Sequence, residues 1–179
     1  MGLGSSPACA IRLNSVLTGP QKALYQNRSS ITHVLNESRV IAIVGLSADT
    51  QKASYFVANY LQTAGYRIVP VNPKADFILG EPVFRKLRDI PFPVDVVDIF
   101  RPAPECGQLV EEAIAIGAKA FWQQLRIINL SAAARAREAG LHSIADLCMK
   151  MEHGRYAGGL HESGMNTELL SARRTHRHL

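Results

Sequence analysis

The chain has 179 residues, enough for one well-buried domain and too few for two of ordinary size. Its formal net charge of +5 sits in the ends: residues 37–149 hold twelve basic and twelve acidic side chains, whereas residues 1–36 carry Arg12, Lys22 and Arg28 with no acid. A neutral middle with basic ends argues against a nucleic-acid-binding face, Cys9, Cys106 and Cys148 contain no CxxC pair and so indicate neither a disulfide framework nor a zinc site, and no apolar run approaches the ~20 residues of a membrane span.

Residues 1–20 are rich in Ser, Gly and Ala, free of acid and unpatterned, and read as a disordered N-terminal arm. Pro20 opens a predicted helix carrying Leu24, Tyr25, Ile31, Val34 and Leu35 on its inner face. Residues 40–64, VIAIVGLSADTQKASYFVANYLQTA, then form a strand, a short loop and a helix. The run 40–44 is apolar without alternation, as a strand buried on both faces of a parallel sheet must be. Gly45 ends it, and Tyr55, Phe56, Ala58, Tyr60 and Leu61 recur at helical spacing, so the free amides of a helix start point back at the loop as an anion site.

Gly65 fits a helix C-cap, RIVPV at 67–71 is a second strand, and Asn72-Pro73 closes it with a turn. Residues 78–84 are irregular, with a brief helical turn at 85–89. VDVVDIF at 94–100 is a third strand, and Pro102 and Pro104 open a helix running to Gly117. AKAFWQ at 118–123 is a fourth strand, Ser131 is the expected cap of a helix over 132–139, and 143–146 is a fifth strand.

Strands alternating with helices imply right-handed crossovers, hence an α/β, three-layer, Rossmann-like domain with a five-stranded, mainly parallel sheet in the order 3-2-1-4-5. Ligands of such sheets bind at the carboxyl ends of the strands, where the order reverses. Those ends are 45–52, 71–74, 100–102, 122–125 and 146–150. A dinucleotide fingerprint would need GxGxxG after the first strand and an acid at the end of the second. Here Gly45 is followed by Leu46 and Ser47, and the second strand ends in Val71-Asn72-Pro73. An NAD(P)-binding protein therefore stays only as the last alternative. The hydroxyls of Ser47 and Ser54 and the cations Lys52, Lys74 and Arg101 suit a phosphate held without a metal.

The segments VGLS at 44–47, SYFVANYL at 54–61, PVNP at 70–73, ILGEPVF at 78–84, PVDVVDIFRP at 93–102, CMKMEH at 148–153 and GMNTELLSARR near the end resemble the stand-alone CoA-binding proteins. Those are single Rossmann-like domains similar to the N-terminal domain of the succinyl-CoA synthetase alpha subunit. The resemblance covers residues 22–174, so the expected division is an arm at 1–20, a CoA-binding domain at 21–174 and a basic tail at 175–179. It implies coenzyme A across the switch point. Gly45, Leu46, Ser47, Lys52, Ser54 and Tyr55 would meet the phosphates, and Pro70, Asn72, Pro73 and Lys74 the nucleotide end. Phe100, Arg101 and Pro102 would wall the middle, while Trp122, Gln123 and Gln124 would border the pantetheine arm. Two departures from the family pattern are Arg126 in QLRI, where the family more often has QLGI, and Ala145-Asp146-Leu147, where it places a basic residue before the cysteine.

No catalytic set is recognisable. His142, His153 and His161 have no telling spacing with Cys148 or a carboxylate, Asp95 and Asp98 fall on opposite faces of one strand, and Lys150 with His153 reads as a solvated or capping pair. Cys148 could form a mixed disulfide with CoA, with packing as the default. Trp122 reads equally as core or as binding wall. The expectation is a soluble cytoplasmic protein that binds CoA or acyl-CoA without turnover, sensing it or presenting it to a protein partner, with no metal, nucleic acid or membrane involved. The alternatives are a subunit of an acyl-CoA ligase or transferase that needs a second chain, and an interaction domain whose partner reads the CoA-bound state.

Overall fold

The structure is a computed structural model that describes residues 17–157. The expected tail, His161 and the GMNTELLSARR segment lie outside the described residues, as does most of the expected arm. Leu17 is already buried, and Thr18 caps the first helix by accepting from the Gln21 amide.

The strands are β1 (Val40–Val44), β2 (Arg67–Val71), β3 (Phe77–Ile78), β4 (Glu81–Pro82), β5 (Val96–Ile99), β6 (Ala120–Gln123) and β7 (His142–Ile144). The helices are α1 (Gly19–Tyr25), α2 (Arg28–Glu37), α3 (Ala53–Thr63), α4 (Cys106–Ala115), α5 (Leu130–Glu138) and α6 (Met149–Tyr156). Five strands pair in parallel in the order β2-β1-β5-β6-β7, and β3 and β4 make a small antiparallel hairpin. No helix among the described residues is long and apolar enough to cross a membrane.

The α/β class, the parallel sense and the layering are as expected; the neighbour of β1 is not. Counting only the parallel strands along the chain, the order is 2-1-3-4-5, so the third strand pairs with the first instead of lying outside the second. The hairpin segment explains the difference. Phe84 donates its amide to Pro70 O at 2.9 Å and accepts from the Asn72 amide at 3.0 Å, which occupies the outer side of β2 at its carboxyl end. The chain then crosses back to the free edge of β1, and the reversal falls between β1 and β5.

Alternation along the strands builds two cores. Ile41, Ile43, Val96 and Trp122 face α2, α3 and α6, whereas Ala42, Val44, Val97 and Phe121 face α4 and α5. At the amino ends of the strands Asp95 ties three segments together. Its carboxylate accepts from the Arg39 and Val40 amides at 2.9 and 3.0 Å and meets Lys119 Nζ at 2.7 Å. Burial pushes this carboxyl up, and those donors and the Lys119 charge more than offset it, holding it low.

Two local expectations are corrected. The helix expected from Pro20 through Leu35 is two helices, because Asn27 accepts from the Ser30 amide at 3.2 Å and starts α2 afresh. The cap of α5 is Asn129, which accepts from the Ala132 amide at 2.9 Å, rather than Ser131.

Two backbone positions carry testable consequences. Gly45 has φ +87°, and a Cβ there would lie 2.8 Å from both Phe100 O and Arg101 Cδ. Gly45→Ala is expected to destabilise the fold by on the order of 2 kcal/mol or more, read as a lowered denaturation midpoint. Arg126 is a non-glycine residue at φ +66°. Left-handed backbone costs such a residue ~1–2 kcal/mol, of which glycine's greater freedom in the unfolded chain takes back ~0.5–1 kcal/mol. Arg126→Gly should therefore raise Tm by about 1–3 °C in a thermal melt.

Candidate ligand site at the carboxyl ends of the strands

The β1–α3 loop is braced mostly by its own side chains. The Ser47 amide donates to Ser54 Oγ at 3.1 Å, the Asp49 amide to Ser47 Oγ at 3.1 Å and the Gln51 amide to Asp49 Oδ1 at 2.9 Å. The Gly45 amide is also committed, to Val71 O at 2.9 Å. Hence two of the amides expected to face phosphate, those of Gly45 and Ser47, are spoken for within the fold. What remains is the start of α3: the amides of Ala53, Ser54 and Tyr55 have no acceptor inside the helix. The Lys52 ammonium stands exposed at the N-cap of α3.

Asn72 joins the first two strand ends. Its Nδ2 donates to Leu46 O at 2.8 Å, and its Oδ1 accepts from the Lys74 amide at 2.7 Å. Arg85, which nothing in the sequence singled out, secures the same turn: it donates to Ala75 O at 2.6 Å and pairs with Asp76 at 2.6 Å. Pro73 and Lys74 are exposed on this turn, whereas Pro70 is buried in β2 beside Ile43. Leu46 is fully buried.

Beyond β5, the Phe100 amide donates to Val44 O at 2.9 Å, so the turn 100–102 lies directly against Gly45. Phe100 is half-buried, and Arg101 and Pro102 are exposed. The Arg101 guanidinium is forked by Glu105, with Nε and Nη2 each 2.8 Å from a carboxylate oxygen, which leaves Nη1 outside the pair. This pairing strengthens its hold on its proton.

At β6 the three expected residues part ways. Trp122 is fully buried, and its indole N–H donates to Leu147 O at 2.7 Å, so its side chain belongs to the core. Gln123 is also buried, exchanging bonds of 2.6 and 3.1 Å with the Asn129 backbone. Gln124 is buried against Asp98, with Nε2 at 3.0 and 2.9 Å from the two carboxylate oxygens. Asp98 is enclosed and its pKa is pushed up to about 7 by burial, against the bonds from Gln124 and the Ile99 amide.

Cys148 caps α6 and is half-buried. Burial pushes its thiol up, with the Asp98 charge adding to that and the Met151 and Lys150 amides and Lys150 charge opposing it, so it is a thiol at neutral pH. Cys106 is buried and pushed up to about 11 by burial.

Three features had no sequence signal. Phe56 is 60 % exposed, with Lys150 Nζ 3.8 Å from its ring centre. His153 is no capping residue: its Nδ1 lies 3.1 Å from Tyr60 Oη, and burial lowers its pKa. His142 packs against His33 with ring centres 4.8 Å apart and planes tilted by 47°, and burial and then the His33 charge lower its pKa. No group of three metal-ligating side chains occurs among the described residues. Surface cavities of about 290 Å³ beside Arg39, Tyr66 and His153 and of about 440 Å³ beside Arg88 and Glu112 contain none of the carboxyl-end loop residues. The convergence at the strand ends is one of backbone amides and cations.

Comparison with known proteins gives this geometry its family. The uncharacterized protein YneT of Bacillus subtilis (strain 168) is 36% identical over 127 residues, 71% of this chain and 94% of the relative. A hypothetical protein from Pyrococcus horikoshii OT3 superposes with a TM-score of 0.71 at 37% identity, over 73% of this chain and 92% of that one. A dinucleotide-forming acetyl-coenzyme A synthetase from Ca. Korarchaeum cryptofilum matches with a TM-score of 0.54 at 25% identity, over 62% of this chain and 26% of that one. Residues 39–154, which run from the start of β1 into α6 and contain all five strand ends, match the CoA binding domain family, and the chain belongs to that family.

Proposed function

We propose that this protein binds coenzyme A or an acyl-CoA in the cytoplasm, across the reversal between β1 and β5, and holds it without turnover for sensing or for presentation to a protein partner. The observation that carries the reading is the extent of the family match, which takes in the α3 start, the Asn72 turn and the Arg101 turn together. In this reading the pyrophosphate meets the Ala53, Ser54 and Tyr55 amides with Lys52, Arg101 and Lys74 supply charge, and Pro73 and Phe100 flank the nucleotide and the middle of the ligand. The arm runs on toward β6. Trp122 and Gln123 support that wall from within, and Leu46, Ser47 and Pro70 shape the loops through their backbones. The half-buried thiol of Cys148, held protonated, suits packing better than exchange.

A second reading, a subunit of an acyl-CoA ligase that needs another chain, is favoured by the likeness to about a quarter of the acetyl-coenzyme A synthetase. Copurification of a second subunit from the native source, with CoA-dependent acyl transfer by the pair, would replace the first reading by the second.

Calorimetry with CoA, dephospho-CoA, NAD and NADP tests the main reading: CoA is expected to bind best, and a preference for NAD or no CoA binding refutes it. Arg101→Ala and Lys52→Ala should each weaken CoA by about fivefold or more, as loss of a charge-assisted contact requires. Glu105→Gln should act the other way, by up to about fivefold, because it frees the guanidinium and removes a negative charge beside the phosphates.

A further inference from the structure

Asp98 and Gln124 form a buried polar pair in a wall that is otherwise apolar. Asp98 stands on β5 between Ile43 of β1 and Trp122 of β6, facing the core of α3 and α6. An ionised carboxylate only accepts, so it settles which way the Gln124 amide lies: Nε2 points inward to both oxygens and the carbonyl oxygen points away. That carbonyl oxygen accepts no hydrogen bond from any of the described residues. Yet the one buried side-chain polar atom without a partner among the described residues is Ser143 Oγ. The Gln124 oxygen is therefore not sealed off from solvent, although the residue is only 3% exposed. It does so at the carboxyl end of β6, two strands from the α3 start, or about 10 Å across the sheet.

We infer that Asp98 is a positioning residue that turns the Gln124 carbonyl oxygen toward the ligand at the carboxyl ends of the strands, where it accepts an amide N–H of the ligand's pantetheine arm. The inference rests on CoA as the ligand and adds which group reads the arm. A molecule with phosphates at the α3 start and a secondary amide about 10 Å further on meets both features; a bare nucleotide meets one. Ionisation of Asp98 maintains the arrangement. Once protonated, the carboxyl presents an O–H whose best acceptor is the same carbonyl oxygen, and the amide turns over to present its NH2 to the ligand instead. With the Asp98 pKa at about 7, arm recognition weakens as pH falls through neutrality.

The other groups on that face do not compete for this role. The Cys148 thiol is the titratable neighbour, and it stays protonated throughout. On α6, Lys150 lies over Phe56, Glu152 pairs with Arg155 at 3.4 Å, and His153 bonds Tyr60. β1 and β6 present Ile43 and Trp122.

The test is calorimetry on the full chain with CoA and with adenosine 3′,5′-bisphosphate, which keeps phosphates and lacks the arm, at about pH 6 and about pH 8. Asp98→Asn and Gln124→Met should each weaken CoA about tenfold while leaving the bisphosphate unchanged. The CoA affinity of the parent protein relative to that of Asp98→Asn should fall from the higher to the lower pH; comparing two proteins with one ligand cancels titration of the ligand's own phosphates. A parent-like CoA affinity and pH profile in a folded Asp98→Asn overturns the inference and leaves CoA binding standing. So does unchanged CoA affinity in Gln124→Met, which keeps the volume and loses the acceptor. Absence of CoA binding by the parent protein overturns the reading beneath it.

Discussion

The close approach of Gly45 to the turn after β5 is the constraint on which the rest of the site depends. Backbone meets backbone there, with room for a hydrogen and none for a methyl group, because a Cβ would sit 2.8 Å from Phe100 O. Only glycine combines that contact with φ +87° without strain. Since Phe100 also donates to Val44 O and Gly45 to Val71 O, three strand ends are locked edge to edge before any ligand arrives. The α3 start, the Asn72 turn and the Arg101 turn inherit their spacing from that lock.

A rigid lock leaves few backbone donors for a ligand. The Gly45 and Ser47 amides are consumed in holding the loop, and the Asn72 side chain in joining two loops. In the proposed reading, anion recognition passes to the α3-start amides, which have no acceptor within the helix, and to long cationic side chains at the rim, which cost conformational freedom when they close on a ligand. Arg101 is the exception, being already forked by Glu105. That pair preorganises the guanidinium plane and also lowers the net positive charge at the rim, so in the proposed reading affinity comes from geometry more than from field strength.

How much of this was legible in the sequence differs by element. Strands β1, β2, β5 and β6 stood out because a sheet covered on both faces demands continuous apolar runs. Their order did not, since it turns on the outer side of β2 being taken by Phe84, a pairing between residues with no local pattern in common. The break at Asn27 was missed because the apolar positions of α1 and α2 line up as if on one helix, and only the Asn27–Ser30 bond separates them. Arg126, read as a departure from QLGI, turned out to be a genuine backbone anomaly at φ +66°, so there the family comparison carried conformational information that propensity alone lacked. Trp122 shows the opposite limit: a strand-end position favoured neither core nor wall, and the bond to Leu147 O decided for core. Lys150 over Phe56 joins two helices distant in sequence and left no trace in it.

Asp98 brings these threads together. In the unfolded chain its carboxyl titrates near 4, in the fold near 7, so its neutral form supports the fold below pH ~4 and that support is lost as pH rises toward ~7. Above that pH the fold keeps a buried negative charge that no cation among the described residues pairs with, bonded to one amide side chain and one backbone N–H. An apolar residue of similar size would pack among Ile43 and Trp122 without that cost. The charge does one thing an apolar side chain could not: it fixes the orientation of the neighbouring Gln124 amide. A buried acid that weakens the fold at neutral pH while fixing one acceptor at the strand ends is the pattern of a group kept for recognition, not for stability.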